Sequence, residues 1–189
     1  MGSTTIYLNM ESDAAKNESE VRQVLFPVEA DIIEALHQTG VGLMGQAATQ
    51  WTQGVKTTLS QLAASKGLLQ FPNDLEGLWE RGGEWLFDVV WVKARHDKEG
   101  KFNWRTCDGL ALACESEWLT GEYDILTDFL KLTFAVADLR LFVYEHTVTD
   151  GIHPVDRCKE VCPLSRGFRY LTIGFPGREE KCRVDAWTA

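Results

Sequence analysis

Positive charge is in short supply in this chain: 19 Lys and Arg stand against 28 Asp and Glu, leaving a net charge of −9. Phosphate binding normally draws on a surplus of Lys and Arg, so this balance excludes broad electrostatic attraction to nucleic acid and leaves a local basic groove as the route to it. No apolar run reaches the length of about 18 residues that a membrane helix needs. The start, MGSTTIYLNMESDAAKNESE, has no basic stretch leading into a hydrophobic one, so neither a membrane span nor an export signal is expected, and the chain reads as cytoplasmic. Cysteines number five, an odd count without framework spacing, which excludes a secreted disulfide scaffold and implies reduced thiols. The four histidines, His37, His96, His146 and His153, are scattered, and no Ser-His-Asp or Cys-His arrangement is legible. Phosphate-cradling loops are missing as well: Gly82-Gly83 and Gly40-Val41-Gly42 read as turns, since neither joins a strand to a helix within a complete motif.

What remains is ample for one core. A chain of 189 residues with 44% hydrophobic content can bury a proper interior. Residues 1–16 are mostly small and polar and are expected to be a flexible tail; residues 17–189 are expected to form a single domain. Asn17 with Glu20 suggests a helix start, and Pro27 interrupts it. A second helix, Val28 to about Gln38, is expected to stop at Gly40 and Gly42. Trp51, Val55, Leu59 and Leu62 recur at helical spacing between Leu43 and Ser65. Asn73 is placed to cap a short helix ending near Trp79. Strands are expected at about Trp85–Ala94 and Gly109–Trp118, then a helix from Glu122 to about Ala135 and an apolar strand from Leu139 to Glu145. A loop follows, with a short helix near Cys158, and then strands at Phe168–Phe175 and Cys182–Trp187 around Pro176-Gly177. The order strand, helix, strand implies a crossover and parallel placement within a mixed α/β sheet.

Three carboxylates stand out because they occur in strands that otherwise read as core. Asp88 lies within Trp85-Leu86-Phe87-Asp88-Val89-Val90-Trp91-Val92, and Glu115 and Glu117 close the run Leu110-Ala111-Leu112-Ala113-Cys114. Alternation along a strand points Glu115 and Glu117 to one face and Ser116 to the other. If the two strands form an antiparallel hairpin, Asp88 falls opposite a residue roughly in the range 108 to 116, so that Asp88 and Glu115 can be neighbours across it. Carboxylates this close either take up a proton or bind a cation, and Mg²⁺ (or Mn²⁺), which accepts one or two carboxylates and keeps waters, suits the pattern. Projection from a wet sheet face, or pairing with Lys and Arg, is the alternative. Lys131, in Asp128-Phe129-Leu130-Lys131-Leu132, is a candidate catalytic cation; a surface ion pair with Asp128 is the alternative for it.

A strand Asp, a following strand ending in Glu-x-Glu-Trp, a helix with Asp-Phe-x-Lys-Leu and an apolar strand resemble the PD-(D/E)XK superfamily, the restriction-endonuclease-like nucleases. The resemblance spans about Glu84 to Glu145. It implies an αβββαβ core around a mixed sheet, with Asp88 and Glu115 as metal ligands. It also implies Glu117 as a further ligand or water-orienting base, Lys131 as the cation that stabilises the transition state, and divalent-metal-dependent hydrolysis of nucleic-acid phosphodiesters. Phe87 stands where the family has Pro, and Glu117 where it has Lys. A member without activity would be a protein-binding or regulatory module, with a protein partner or a second copy of the chain on its surface.

Weaker candidates complete the reading. Cys158 and Cys162, with His153 before and Cys182 after, could be assembled into a zinc site, though no second close pair accompanies them. Trp85, Trp91, Trp104 and Trp118 cluster around the hairpin, where they fill the core or stack on unpaired bases. Lys93, Arg95, Lys98, Lys101 and Arg105, with Arg166, Arg169, Arg178, Lys181 and Arg183, are the positive residues available for a groove.

Overall fold

A computed structural model of the chain describes residues 3–10, 25–71, 86–93, 107–146, 153–162, 167–177 and 181–189. The expected helix starts at Asn17 and Asn73 lie outside these residues, as do Trp85, Trp104, His96 and the basic residues Arg95, Lys98, Lys101, Arg105, Arg166 and Arg178.

Seven strands form one mixed sheet: β1 (Ser3–Asn9), β2 (Leu69–Phe71), β3 (Val89–Val92), β4 (Leu110–Glu117), β5 (Ala137–His146), β6 (Arg169–Pro176) and β7 (Lys181–Thr188), in the spatial order β1-β7-β6-β5-β4-β3-β2. The described helices are α1 (Pro27–Leu43), α2 (Ala48–Ser65), α3 (Glu122–Phe134) and α4 (Pro154–Glu160). Strands β4, β5 and β6 run parallel because α3 and α4 supply the crossovers between them, and the remaining pairs are antiparallel.

Period-two patterning sends alternate residues of each strand to opposite layers. Trp91, Leu112, Cys114, Leu141, Val143, Ile173 and Val184 pack with Ile32, Ile33 and Leu36 of α1 and Trp51, Val55 and Leu59 of α2. On the other face Val90, Ala113, Phe142, Tyr144 and Tyr170 meet Ile125, Phe129 and Leu132 of α3 and Val155 and Cys158 of α4. Burial of a ring such as Phe129, fully enclosed between Phe142 and Tyr170, contributes roughly 2–3 kcal/mol.

Two expectations from the sequence are corrected. Residues 3–9, expected within a flexible tail, are a strand paired along its whole length with β7, from Ser3 opposite Trp187 to Asn9 opposite Lys181. Its few apolar residues suffice because an edge strand has one core face to fill: Leu8 is buried and Ile6 packs beside it. Thr5 Oγ1 donates to Asp185 Oδ1 at 2.6 Å, and the His37 ring bonds the Asn9 carbonyl at 2.8 Å. Helix α1 runs through Gly40 and Gly42 instead of stopping there. A Cβ on Gly40 would collide with the Phe175 ring, so this glycine serves close helix–sheet approach. Pro27 opens the same helix from its first turn, where a missing N–H is harmless. Glu29 accepts a bond from Phe26 N at 3.0 Å and a two-pronged pair from Arg169 at 2.6 and 3.0 Å, tying the start of α1 to β6.

Candidate functional site

The carboxylates meet at the C-terminal end of β4, which has antiparallel β3 on one side and parallel β5 on the other. Val89 pairs with Cys114 across the hairpin, which leaves Asp88 one residue further on, at the height of Glu115. Glu115 and Glu117 share the parity of Ala113 and point toward α3. Asp88 sits in the bend before β3, and its carboxylate is turned to the Ser116 side: Oδ2 accepts from Ser116 N at 2.9 Å and from Ser116 Oγ at 2.7 Å. Its other oxygen, Oδ1, lies 3.3 Å from Lys56 Nζ on α2. The strand end is therefore approached from both layers, with Lys56 on one side and Lys131 on the other.

Glu115 is only 3% exposed. Its Oε2 lies 3.4 Å from Lys131 Nζ, while Oε1 is buried without a hydrogen-bond partner among the described residues. Burial, reinforced by the neighbouring Asp88 charge and only partly offset by Lys131, pushes its carboxyl up to about 8. Lys131 is held between two acids, the nearer being Asp128 at 2.6 Å. Burial works to lower its ammonium, but the hydrogen bond to Asp128 and the Glu115 charge outweigh that and hold it above the ordinary lysine value. Lys131 thus both pairs with Asp128 and leans toward Glu115. Glu117 Oε1 accepts from Leu119 N at 2.7 Å. Partial burial and a hydrogen bond with the Asp128 carboxyl raise Glu117 above the usual range, against the opposing Leu119 N–H.

Among the described residues no three His, Cys, Asp or Glu side chains converge as a complete ligand set. The fit to a cation is a pair, Asp88 Oδ1 and Glu115 Oε1. The Ser116 bonds hold Asp88 through Oδ2 and leave Oδ1 to Lys56; Glu115 Oε1 is buried without a hydrogen-bond partner among the described residues, on a carboxyl whose proton a cation would have to displace. Two protein carboxylates, with water and substrate filling the other positions, is the usual complement for Mg²⁺.

Sequence reading missed Lys56 and Ser116. Lys56 lies beside the buried Val55 on α2, and nothing in its local pattern separates it from any flanking lysine until the packing of α2 against the sheet is known. Strand alternation sets Ser116 on the opposite face from the glutamates, which holds for its backbone parity; the bend at Asp88 carries the carboxylate around to it.

The other candidates are dispersed. Cys158 and Cys162 face the α3–α4 layer, whereas Cys182 faces the α1–α2 layer, so the sheet separates Cys182 from the pair. Burial pushes the Cys162 thiol up to about 11 and the Cys158 thiol higher still, so both are neutral thiols in the metal-free chain. The His146 ring lies 4.8 Å from that of His153. Trp118 donates from Nε1 to Thr52 Oγ1 at 2.9 Å and packs on Trp51 and Phe175; Trp91 is buried. Of the expected groove cations, Lys93 pairs with Asp138, Arg169 with Glu29, and Arg183 with Asp185 and Asp156.

Fold and site together define a mixed α/β protein carrying one buried and one half-buried carboxylate between two lysines at a strand end. Among known proteins, no family model matches the chain, and no curated protein or solved structure matches it.

Proposed function

We propose that the chain is a divalent-metal-dependent nuclease of the PD-(D/E)XK type, hydrolysing nucleic-acid phosphodiesters at the end of β4. The observation that carries this reading is the buried, unpartnered Glu115 oxygen beside Asp88. Ionising that buried carboxyl is costly even with Lys131 nearby, and a cation would offset the cost. Supporting it, the described elements α2–β2–β3–β4–α3–β5 follow the αβββαβ order of that superfamily, with Asp88 immediately before the second strand of the run, Glu115 near the end of the third and Lys131 on the helix that follows.

Asp88 and Glu115 would hold the ion, and Mg²⁺ or Mn²⁺ would supply Lewis-acid polarisation of a phosphoryl oxygen there. Lys131, charged at neutral pH and directed at Glu115, opposes the negative charge that gathers on the phosphoryl oxygens in the transition state. Glu117, held above the ordinary carboxylate range and anchored through Leu119, is suited to orient a water and take its proton. The chain's net charge is −9, and two lysines flank the strand end, Lys56 paired with Asp88 and Lys131 with Asp128.

Cleavage of single-stranded, double-stranded and branched oligonucleotides with Mg²⁺ or Mn²⁺ tests the reading. Activity that disappears in Asp88→Asn and Glu115→Gln is expected. Activity that persists in both belongs to another site or a contaminant.

A second reading, a module of the same fold that binds a protein partner or a second copy of itself, is favoured by one observation. Tyr123, Leu130 and Phe134 recur on one stripe of α3 and continue into Val136; Tyr123, Phe134 and Val136 are 81%, 74% and 78% exposed. Apolar stripes of this kind mark contact surfaces. Metal binding without cleavage of any substrate, together with self-association lost in Phe134→Glu, would favour this reading.

A further inference from the structure

We infer that Lys56 is a metal-gated phosphate ligand: it holds Asp88 Oδ1 while the site lacks a cation, and is released toward the substrate's phosphate when the cation takes that oxygen. This rests on the metal-site reading above and adds a residue and a switching step to it.

The geometry supplies each part. Both hydrogen bonds from Ser116 go to Asp88 Oδ2, which fixes the carboxylate and leaves Oδ1 as the oxygen open to a cation. Lys56 Nζ stands at that oxygen, at 3.3 Å, longer than the roughly 2.7–2.9 Å of a tight charged hydrogen bond. The pair is about a quarter exposed on each side, so its attraction is weakened by solvent. A divalent ion carries twice the charge of the ammonium and coordinates the oxygen directly, so it displaces such a partner.

Lys56 is also rooted so that its side chain can move while its backbone stays. Its carbonyl accepts from the buried Gln70 Nε2 at 3.2 Å, which pins this turn of α2 to β2. One turn earlier, Thr52 Oγ1 takes the Trp118 Nε1 bond, joining α2 to the residue just after β4. A four-carbon stem on so fixed a root sweeps its ammonium along an arc over the strand end. Once off Asp88, the ammonium is free to meet an anion brought to the metal. In a chain so acidic overall, a phosphodiester is the substrate class that a second lysine facing Lys131 across the strand end would serve.

The test uses the full chain and three variants: Lys56→Met, Lys56→Arg and Glu115→Gln. Mn²⁺ affinity is read by calorimetry. Binding of a fluorescent single-stranded oligonucleotide is read over a range of salt, with EDTA or with Ca²⁺ to support binding without turnover. Removing the competing ammonium should tighten Mn²⁺ about three- to fivefold in Lys56→Met, the equivalent of an ion pair worth up to about 1 kcal/mol. In Ca²⁺ the same variant should bind the oligonucleotide more weakly, with a log–log salt slope shallower by about 0.7, the loss of one single-strand phosphate contact. In EDTA the slopes of wild type and variant should coincide, and Lys56→Arg should restore the Ca²⁺ slope. Equal Mn²⁺ affinities and equal slopes would overturn the inference while leaving the metal site standing. A slope difference already present in EDTA would make Lys56 an ungated contact, and weaker Mn²⁺ binding in Lys56→Met would make it part of the scaffold; either overturns the gating. Absence of Mn²⁺ binding by wild type, with Glu115→Gln indistinguishable from it, would remove the metal site itself.

Discussion

Replacement of Glu115 by glutamine isolates the electrostatic cost of the site. In the folded chain this carboxyl is pushed from 4.5 up to about 8, chiefly by burial and then by Asp88. Between those two values the folded protein keeps a proton that the unfolded chain has released. Stability contributed by the protonated form is therefore complete below about pH 4.5 and is lost as pH rises toward 8, after which the loss is constant. At about 1.4 kcal/mol per unit, the separation amounts to roughly 3–5 kcal/mol across the window. The substituted amide is neutral at every pH and nearly isosteric, and its oxygen can still accept from Lys131. Urea unfolding of both proteins in EDTA, from about pH 5 to about pH 9, gives the difference curve in which other titrating groups largely cancel. Glu115→Gln should match or trail wild type at the acidic end and exceed it by several kcal/mol at the alkaline end. A difference that stays flat, or that moves in favour of wild type as pH rises, would mean that Glu115 is not buried against its ionised form, and the case for a cation there would lose its main support.

Three further substitutions probe the scaffold. Ser116→Ala removes the hydroxyl that donates to Asp88 Oδ2; chemical denaturation should show a loss of about 1 kcal/mol, and Mn²⁺ binding should weaken as Asp88 loses its fixed orientation. Arg140→Met should destabilise by roughly 3–5 kcal/mol, because the buried guanidinium donates to the carbonyls of Leu132 and Ala135 at the end of α3 and of Ala137 at the start of β5; melting should detect it, and a loss under about 1 kcal/mol would contradict the capping role. Gly40→Ala places a methyl group against the Phe175 ring and should cost about 1–3 kcal/mol in the same assay.

Much of the region from β3 to β5 was legible because its signals are local. Apolar runs bounded by charged turns marked the hairpin, helical spacing of Ile125, Phe129 and Leu132 marked α3, and the acids at the end of β4 were visible as departures from a core pattern. What failed to show depends on tertiary contact. Ser3–Asn9 looks like a polar terminus until β7 offers it an edge to pair with, and Gly40 looks like a stop until Phe175 is seen to need its missing side chain. The site divides along the same line: Asp88, Glu115 and Lys131 were suggested by cost and spacing, whereas Lys56 reaches the site only because α2 crosses the ends of β3 and β4. The turn of the Asp88 carboxylate toward Ser116 follows from a bend that strand alternation does not describe.

The central claim, that Asp88 and Glu115 together hold one divalent cation, is tested most directly by calorimetric titration of Mn²⁺ into the full chain near neutral pH in two buffers of different ionisation heat. With the Glu115 carboxyl at about 8, the ion must displace its proton, so one Mn²⁺ should bind per chain with release of about one proton. Asp88→Asn and Glu115→Gln should each abolish or severely weaken binding. Silence in wild type, or undiminished binding and proton release in both variants, would contradict the claim.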